Sequence, residues 1–199
     1  SSAASDVYKR QHREAAAHLT QALELLGAGS GLGLSEPELL RLELSLQRML
    51  GPALLFTRGW GDPDVERAYV RCREITEQLG DREKLAQVLY GMAYLHEIRG
   101  DFHLSEPLLQ ECLGLGRQVQ TPYTSIESQE LLSCSLFHQG RFQEALRSAR
   151  AALAVFEPDI GDPFAASLGM NAGVASHYWA GLALWCLGYP DRALEPLQA

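Results

Sequence analysis

Apolar residues recur at three- and four-residue steps along most of the chain, which is the spacing of the buried face of an α-helix. In residues 12–26, for example, Ala15, Leu19, Ala22 and Leu26 fall on one side of a helix. Leucine and alanine are common and β-branched residues are few, which also favours helix over strand. The pattern predicts an all-α chain of about nine helices, at residues 12–26, 37–58, 65–79, 82–99, 102–116, 123–139, 142–156, 164–187 and 190–199.

Proline and aspartate mark several of the predicted helix ends. Asp62 precedes a proline, a pair that is typical of an N-cap followed by the first residue of a helix. Gly51 and Pro52 interrupt the second predicted helix, and Pro52 is expected to kink it, because proline removes a backbone donor. For the same reason, Pro107 is expected to delay the start of the fifth helix to Ser105.

A short motif occurs three times in the second half of the chain. Gly140 is followed two residues later by Phe142 and three residues after that by Ala145. This spacing predicts a reversal between two antiparallel helices, because glycine adopts the positive φ that ends the first helix and alanine permits close approach of the second. Related motifs begin at Gly100 and Gly188.

A small residue lies seven positions before each of these glycines: Ala93, Ser133 and Gly181. The arrangement resembles the tetratricopeptide repeat, which implies a right-handed solenoid of antiparallel helix hairpins. The glycines are 40 and then 48 residues apart, where the family has about 34, so the repeat is divergent. Other residues occupy the family's Trp and Tyr positions, namely Leu89, His96, Gln129, Leu136, His177 and Leu184.

Longer stretches resemble the helical-repeat region of large bacterial ATPase regulators, which include multidomain adenylate or guanylate cyclases and transcriptional activators. In that family a cyclase or DNA-binding domain and a P-loop ATPase come before the repeats. The resemblance implies a regulatory interaction module and leaves open which effector domain precedes it. It rests on residues 49–55, 64–69, 78–80, 136–137, 156–158, 172–176 and 183–194.

The first residues of the chain do not resemble the repeats. Residues 6–11, Asp-Val-Tyr-Lys-Arg-Gln, resemble the translation of a sequencing adapter, so residues 1–11 are interpreted as an artefactual or disordered leader. Residues 12–199 then form the tetratricopeptide-like domain, which we expect to be a fragment truncated at both ends.

Net charge, hydropathy and cysteine content limit the kinds of partner and the cellular compartment that we expect for this chain. The chain has 199 residues, a net charge of −8 and a pI near 5.2, which argues against nucleic acid as a partner. No apolar run reaches the roughly 20 residues of a membrane span, so no membrane association is expected. Cys72, Cys112, Cys134 and Cys186 lack CxxC spacing and are expected to be buried reduced thiols, not disulfides or zinc ligands, which indicates a cytoplasmic protein.

Motifs of catalysis or cofactor binding were not found in the sequence. The six histidines never form HxxxH or HExxH, and GxSxG does not occur. The glycine-rich residues 27–33 follow no strand and precede no Lys-Ser or Lys-Thr pair, so they are interpreted as a connection between helices. We therefore expect no enzyme activity, no metal and no cofactor in this chain.

The repeat register suggests a binding surface instead. In stacked hairpins the first helices line a concave face, where aromatic side chains can hold a peptide or helix. Alternatively, Tyr94, Phe137 and Trp185 are simply buried between repeats. The residues assigned to this face are Gln87, Tyr90, Tyr94, Glu97, Glu130, Phe137, His138, Tyr178 and Trp185.

Three functions follow from these observations. The first is a protein-interaction or sensor module of an ATPase regulator, acting on a protein or peptide partner or on neighbouring domains of its parent chain. The second is a free-standing peptide-binding adaptor. The third, an enzyme built into the helical array, has no support in the sequence.

Overall fold

The structure is a computed structural model that describes residues 2–28, 33–119, 122–156 and 171–195. For residues 2–8, 122 and 123 the description covers the backbone only. Nine helices occur in these ranges, and no strand occurs in them. The predicted all-α class is therefore confirmed.

The first of two compact units covers residues 1–88. Its helices are α1 (Ser2–Gly27), α2 (Glu36–Arg58) and α3 (Pro63–Leu79), and α2 packs against both α1 and α3. The helix α4 (Arg82–Arg99) contributes its residues up to Val88 to this unit.

The second unit covers residues 89–199 and carries the remaining helices. The helix α6 packs against α5 and α7, and α8 packs against α6, α7 and α9. Their bounds are α5 (Phe102–Val119), α6 (Pro122–His138), α7 (Phe142–Leu153), α8 (Ala172–Cys186) and α9 (Pro190–Ala193).

The three glycine motifs form one kind of turn. The φ angles are +79° at Gly100, +76° at Gly140 and +87° at Gly188, as the left-handed C-cap of a helix requires. The residue after each glycine donates its amide to a carbonyl five positions earlier, which caps the helix that is ending. The pairs are Asp101 to His96 (2.8 Å), Arg141 to Leu136 (2.9 Å) and Tyr189 to Leu184 (3.0 Å).

The small residues before these turns lie where two helices cross. Ser133 is fully buried in α6, and its hydroxyl donates a 2.8 Å hydrogen bond to the carbonyl of Ala145 in α7. Ala145 is itself fully buried, as is Ala93 of α4. The predicted close approach between α6 and α7 is therefore confirmed, and a larger side chain at Ser133 would separate the two helices.

The predictions made from aspartate and proline agree with the structure at some positions and not at others. Asp62 caps α3 as predicted, with its carboxylate accepting from the amide of Asp64 at 2.8 Å. The helix α2 continues through Pro52 to Arg58, as its predicted range requires, and the predicted kink at Pro52 stays a prediction. The predicted start at Ser105 is wrong, since backbone bonds to the carbonyl of Asp101 begin α5 at Phe102 and the helix includes Pro107.

Some sequence predictions fall outside the described residues. These include most of the glycine-rich connection and residues 164–170 of the eighth predicted helix. The helix α1 includes residues 2–11, and the interpretation of this stretch as an adapter-derived leader stays a prediction.

The cysteines differ in their surroundings. Cys72 and Cys112 are buried as expected, but Cys134 is only half-buried and Cys186 is exposed. The prediction of four buried thiols is therefore wrong for Cys186, which lies at the last residue of α8. In the ranges that the structure describes, no helix has both the length and the apolar character needed to cross a membrane.

We expect Gly140→Ala to lower the free energy of unfolding by about 1 kcal/mol, because a Cβ atom is unfavourable at φ +76° although no neighbour lies within 4 Å. Gly114→Ala is the matched control, since this helical glycine also has open space around it and no positive φ. Alanine there should raise stability by roughly 0.5–1 kcal/mol. Urea unfolding of both variants measures the difference, and equal effects would contradict the assigned turn.

Candidate interaction surface

The residues of α4 that were assigned to the concave face are less accessible than expected. Tyr90 is only 6% exposed, Tyr94 is half-buried, and Glu97 is 8% exposed. The rings of Tyr90 and Tyr94 lie 6.3 Å apart. Gln87 belongs to the first unit, where its side-chain oxygen accepts from Arg48 at 2.9 Å.

The assigned residues of α6 and α8 range from buried to exposed. Glu130 is 3% exposed, Phe137 is half-buried, and His138 is exposed at the end of α6. On α8, Tyr178 is 49% exposed and Trp185 is 63% exposed. Trp185 is therefore not buried among the described residues.

A single tryptophan joins α6 to α8. The indole N–H of Trp179 donates to the carboxylate of Glu130 at 3.0 Å. Its ring centroid lies 5.5 Å from that of Phe137, 5.4 Å from that of His138 and 5.0 Å from that of Tyr178. These contacts bring four of the residues assigned from sequence to one side of the second unit. We call the set Tyr94, Glu97, Glu130, Phe137, His138, Tyr178 and Trp179 the first-helix face.

Glu97 is the least satisfied polar group of this face. Both of its carboxylate oxygens are buried and make no hydrogen bond of normal geometry. Burial raises the pKa of Glu97 to about 7, and the nearby side chains of Ser105, Cys134 and Ser135 offset only part of that rise. A buried carboxylate without partners is costly, which makes Glu97 a position that a ligand would stabilise.

Two further buried carboxylates lie on α6, Glu130 near Glu97 and Glu127 near Glu130. Burial raises the pKa of Glu130 to about 7, with the bond from Trp179 opposing and the charge of Glu97 adding to the rise. Burial raises the pKa of Glu127 to about 8, with the charge of Glu130 adding to it. We call Glu97, Glu127 and Glu130 the acidic seam.

Cys134 and His138 lie next to the acidic seam, one helical turn apart. The imidazole Nδ1 of His138 is 2.9 Å from the carbonyl oxygen of Cys134 and 3.6 Å from its sulfur. Burial raises the pKa of the Cys134 thiol, and the charges of Glu97 and Glu130 add to the rise. The neutral thiol is therefore strongly favoured, and Cys134 is a poor nucleophile.

Carboxyl groups with pKa values near 7 are also found in general acids and bases. A substrate must touch such a group, yet both oxygens of Glu97 are buried. Glu130 is already bonded to Trp179. This geometry favours a structural or ligand-holding role for the acidic seam over acid–base catalysis.

The sequence assignment included His138 but missed four residues of this region, namely Phe102, Glu127, Cys134 and Trp179. Trp179 follows Tyr178 directly, and Glu127, Cys134 and His138 share the α6 face of Glu130 at three- and four-residue steps. This helical spacing was the signal that could have identified Glu127 and Cys134. Phe102 stacks on His138 at 5.3 Å between centroids, and only the folded arrangement of α5 against α6 shows it.

An apolar stripe on α8 continues this surface. Val174 is 69% exposed and shares one side of the helix with Tyr178 and Trp185, four and eleven positions on. We call these three residues the α8 stripe. Large apolar side chains exposed together are typical of binding surfaces.

The acidic seam predicts a specific pH dependence. Because the pKa of Glu127 is raised from 4.5 to about 8 on folding, its protonated form favours the folded state, and this contribution is complete below pH 4.5. Stability should therefore fall as the pH rises from about 4.5 to about 8. The groups facing Glu127 are Glu130 of its own helix and the Cys112 thiol of α5.

We expect Glu127→Gln to match the unmodified chain near pH 5 and to be more stable at pH 8.5 by on the order of 2 kcal/mol, since an amide carries no charge to desolvate. Chemical unfolding at both pH values measures this. Glu111→Gln, on the exposed side of α5, is the control and should show no such pH-dependent gain. A gain for Glu127→Gln that does not change with pH would refute the raised pKa.

Comparison with known proteins shows which repeats this fold resembles. A model described as tetratricopeptide repeat matches residues 84–158. No curated protein matches the sequence. Among solved structures, the chain is similar to a candidate kinesin light chain of Podosopora anserina with nearly identical TPR-like repeats. The TM-score is 0.62 at 16% identity, over 96% of this chain and 90% of that chain. The chain thus has the all-helical fold of tetratricopeptide-like repeats, as the sequence predicted.

Proposed function

We propose that this chain is a non-catalytic protein-interaction module that binds a peptide or helix of a partner protein. The partner would lie on the first-helix face and the α8 stripe. The observation that carries the proposal is the exposure of Tyr178 and Trp185 beside the ring cluster of Trp179, Phe137 and His138. Large rigid aromatic groups on a helical surface provide contact area with little loss of side-chain entropy.

The side chains of the first-helix face and the α8 stripe indicate which chemical groups the partner segment would carry. The α8 stripe is apolar, and the ionisable groups of the acidic seam are carboxyls. Neither set contains a Lys or Arg that would capture a phosphate or a terminal carboxylate. The best fit is therefore a segment with apolar side chains spaced to reach Tyr178 and Trp185, read in the manner of a helix or strand in a groove.

In its parent protein, we propose that the module senses or regulates an attached ATPase effector in the cytoplasm. The support is the sequence resemblance to the repeat region of bacterial ATPase regulators, together with the tetratricopeptide match over residues 84–158. Tetratricopeptide repeats are generally non-catalytic, so ATP hydrolysis or nucleotide cyclisation would belong to another domain. Neighbouring domains of the parent chain are then natural partners for the face.

The alternative is a free-standing adaptor with the same binding surface. The two functions differ in whether a P-loop ATPase precedes residue 12 in the same reading frame. Neither function requires nucleic acid or a membrane as partner.

The peptide-binding proposal predicts a loss of affinity when the exposed aromatics are removed. Peptides selected from a random phage-displayed library on the whole chain would be titrated by calorimetry. Joint replacement Tyr178→Ala and Trp185→Ala should weaken binding at least about 10-fold, because exposed aromatic anchors contribute most of the energy of such contacts. Tyr90 is unsuitable for this test because it is buried.

The matched control replaces two exposed apolar residues away from the proposed surface, Leu104→Ala together with Val155→Ala. Leu104 lies in α5, and Val155 follows the end of α7. Their exposures of 43% and 48% are similar to that of Tyr178. The control should bind the selected peptides like the unmodified chain. Equal affinity of the Tyr178/Trp185 variant and the unmodified chain would reject the proposed surface.

A further inference from the structure

Three metal-ligating side chains from two helices of the second unit converge, and one of them, Glu97, belongs to the acidic seam. Glu97 of α4 offers a carboxylate oxygen, Cys134 of α6 a sulfur, and His138 of α6 an imidazole nitrogen. These three atoms all lie within 4.8 Å of one another. Cys134 and His138 are four residues apart, a spacing that places two ligands on one side of a helix.

The separation of two of these atoms already suits a tetrahedral ion. Zinc binds nitrogen at about 2.0–2.1 Å and sulfur at about 2.3 Å, so two such ligands at a tetrahedral angle stand roughly 3.6 Å apart. His138 Nδ1 and Cys134 Sγ are 3.6 Å apart. In the ion-free chain Nδ1 lies 2.9 Å from the Cys134 carbonyl oxygen, a hydrogen bond that ligation through Nδ1 would replace.

An independent observation points to a missing ligand at the same place. Only 8% of Glu97 is exposed, and neither of its oxygens makes a hydrogen bond of normal geometry; the side chains of Ser105, Cys134 and Ser135 are its nearby polar groups. Buried carboxylates in proteins are almost always paired, hydrogen-bonded or bound to a metal. A cation between Glu97, Cys134 and His138 would supply the absent partner.

The charges and the surroundings are consistent with this occupant. A divalent ion held by one carboxylate, one thiolate and one neutral imidazole is neutral overall, which suits a buried position. The imidazole of His138 is fixed by stacking on Phe102 and by the edge of Trp179. His138 is itself exposed, so its side chain provides a route for an ion from solvent.

We propose that Glu97, Cys134 and His138 form a binding site for one zinc-type divalent ion. Sulfur, nitrogen and carboxylate ligands together select zinc over magnesium or calcium, which prefer oxygen alone. Three protein ligands leave a fourth position for water or for a side chain of a bound partner. Binding transfers the thiol proton of Cys134, and any proton on Glu97, to solvent.

The site does not depend on the proposed peptide binding, because Tyr178 and Trp185 contribute no ligand. The proposal differs from the expectation, drawn from the sequence, that the chain holds no metal. That expectation rested on the absence of paired histidines, whereas the pair on α6 is a cysteine and a histidine, and the third ligand comes from a different helix.

The test uses the whole chain after removal of metal with a chelator. We expect Zn²⁺ to bind one ion per chain in calorimetry and to raise the thermal midpoint. We expect Co²⁺ to produce a sulfur-to-cobalt charge-transfer band together with the intense visible bands of a tetrahedral complex. In Cys134→Ser the charge-transfer band should vanish, and in Cys134→Ser, His138→Gln and Glu97→Gln the Zn²⁺ affinity should fall at least about 100-fold. Replacing a residue that only hydrogen-bonds to a metal ligand typically lowers metal affinity by about 10–100-fold, so a larger loss identifies a direct ligand.

Matched controls are Cys186→Ser and His103→Gln, an exposed cysteine and an exposed histidine elsewhere in the second unit. Both should bind Zn²⁺ and Co²⁺ like the unmodified chain. Circular dichroism of each metal-free variant establishes that it has folded. The proposal is overturned if folded Cys134→Ser keeps the charge-transfer band, if Cys186→Ser loses it, or if the unmodified chain binds no Zn²⁺ stoichiometrically.

Discussion

Close crossing of helices at small buried residues is the constraint on which the second unit depends. At Ser133 the side chain is small enough for α7 to approach, and its hydroxyl bonds to the carbonyl of Ala145. Ala93 and Ser105 are equally buried in α4 and α5. Larger side chains at these positions would push the helices apart, because packed interiors leave little room for added atoms. The left-handed glycine turns between the helices then fix their direction.

This packing has a consequence for polar groups. It brings α4, α6 and α8 close enough for the indole of Trp179 to reach Glu130, and for Glu97 to lie near Cys134 and His138. Carboxylates at such positions lower stability unless something balances them. Natural proteins tolerate costs of this kind mainly where a site requires them. The proposed ion would balance this cost at Glu97, and the bond from Trp179 offsets part of it at Glu130.

Much of this fold could be predicted from the sequence because its determinants are local. The bounds of α4 agree with the predicted 82–99, and all three glycine turns occur where the motif placed them. Proline misled the prediction at Pro107, because backbone bonds to the carbonyl of Asp101 begin α5 at Phe102 and the helix tolerates the donor lost at Pro107.

The site was less predictable because it depends on contacts between helices. The register assigned Glu130, Phe137, His138 and Tyr178 to one face, and all four contact Trp179 in the structure. The register could not show that Tyr90 is buried. The nearness of Glu97 on α4 to Cys134 on α6 arises only in the folded chain, and no spacing along the sequence expresses it. A search for paired histidines likewise passed over the cysteine and histidine that share a face of α6.

The bond between Trp179 and Glu130 provides the most direct test that the first helices share a face. Hydrogen exchange of the indole N–H groups, followed by nuclear magnetic resonance and assigned with Trp179→Phe and Trp185→Phe, measures it. Trp179 is hydrogen-bonded and Trp185 is 63% exposed. The account predicts that the Trp179 indole exchanges at least about 10-fold more slowly than that of Trp185. Equal rates for the two indoles would show that α8 does not hold Trp179 against α6, and would contradict it.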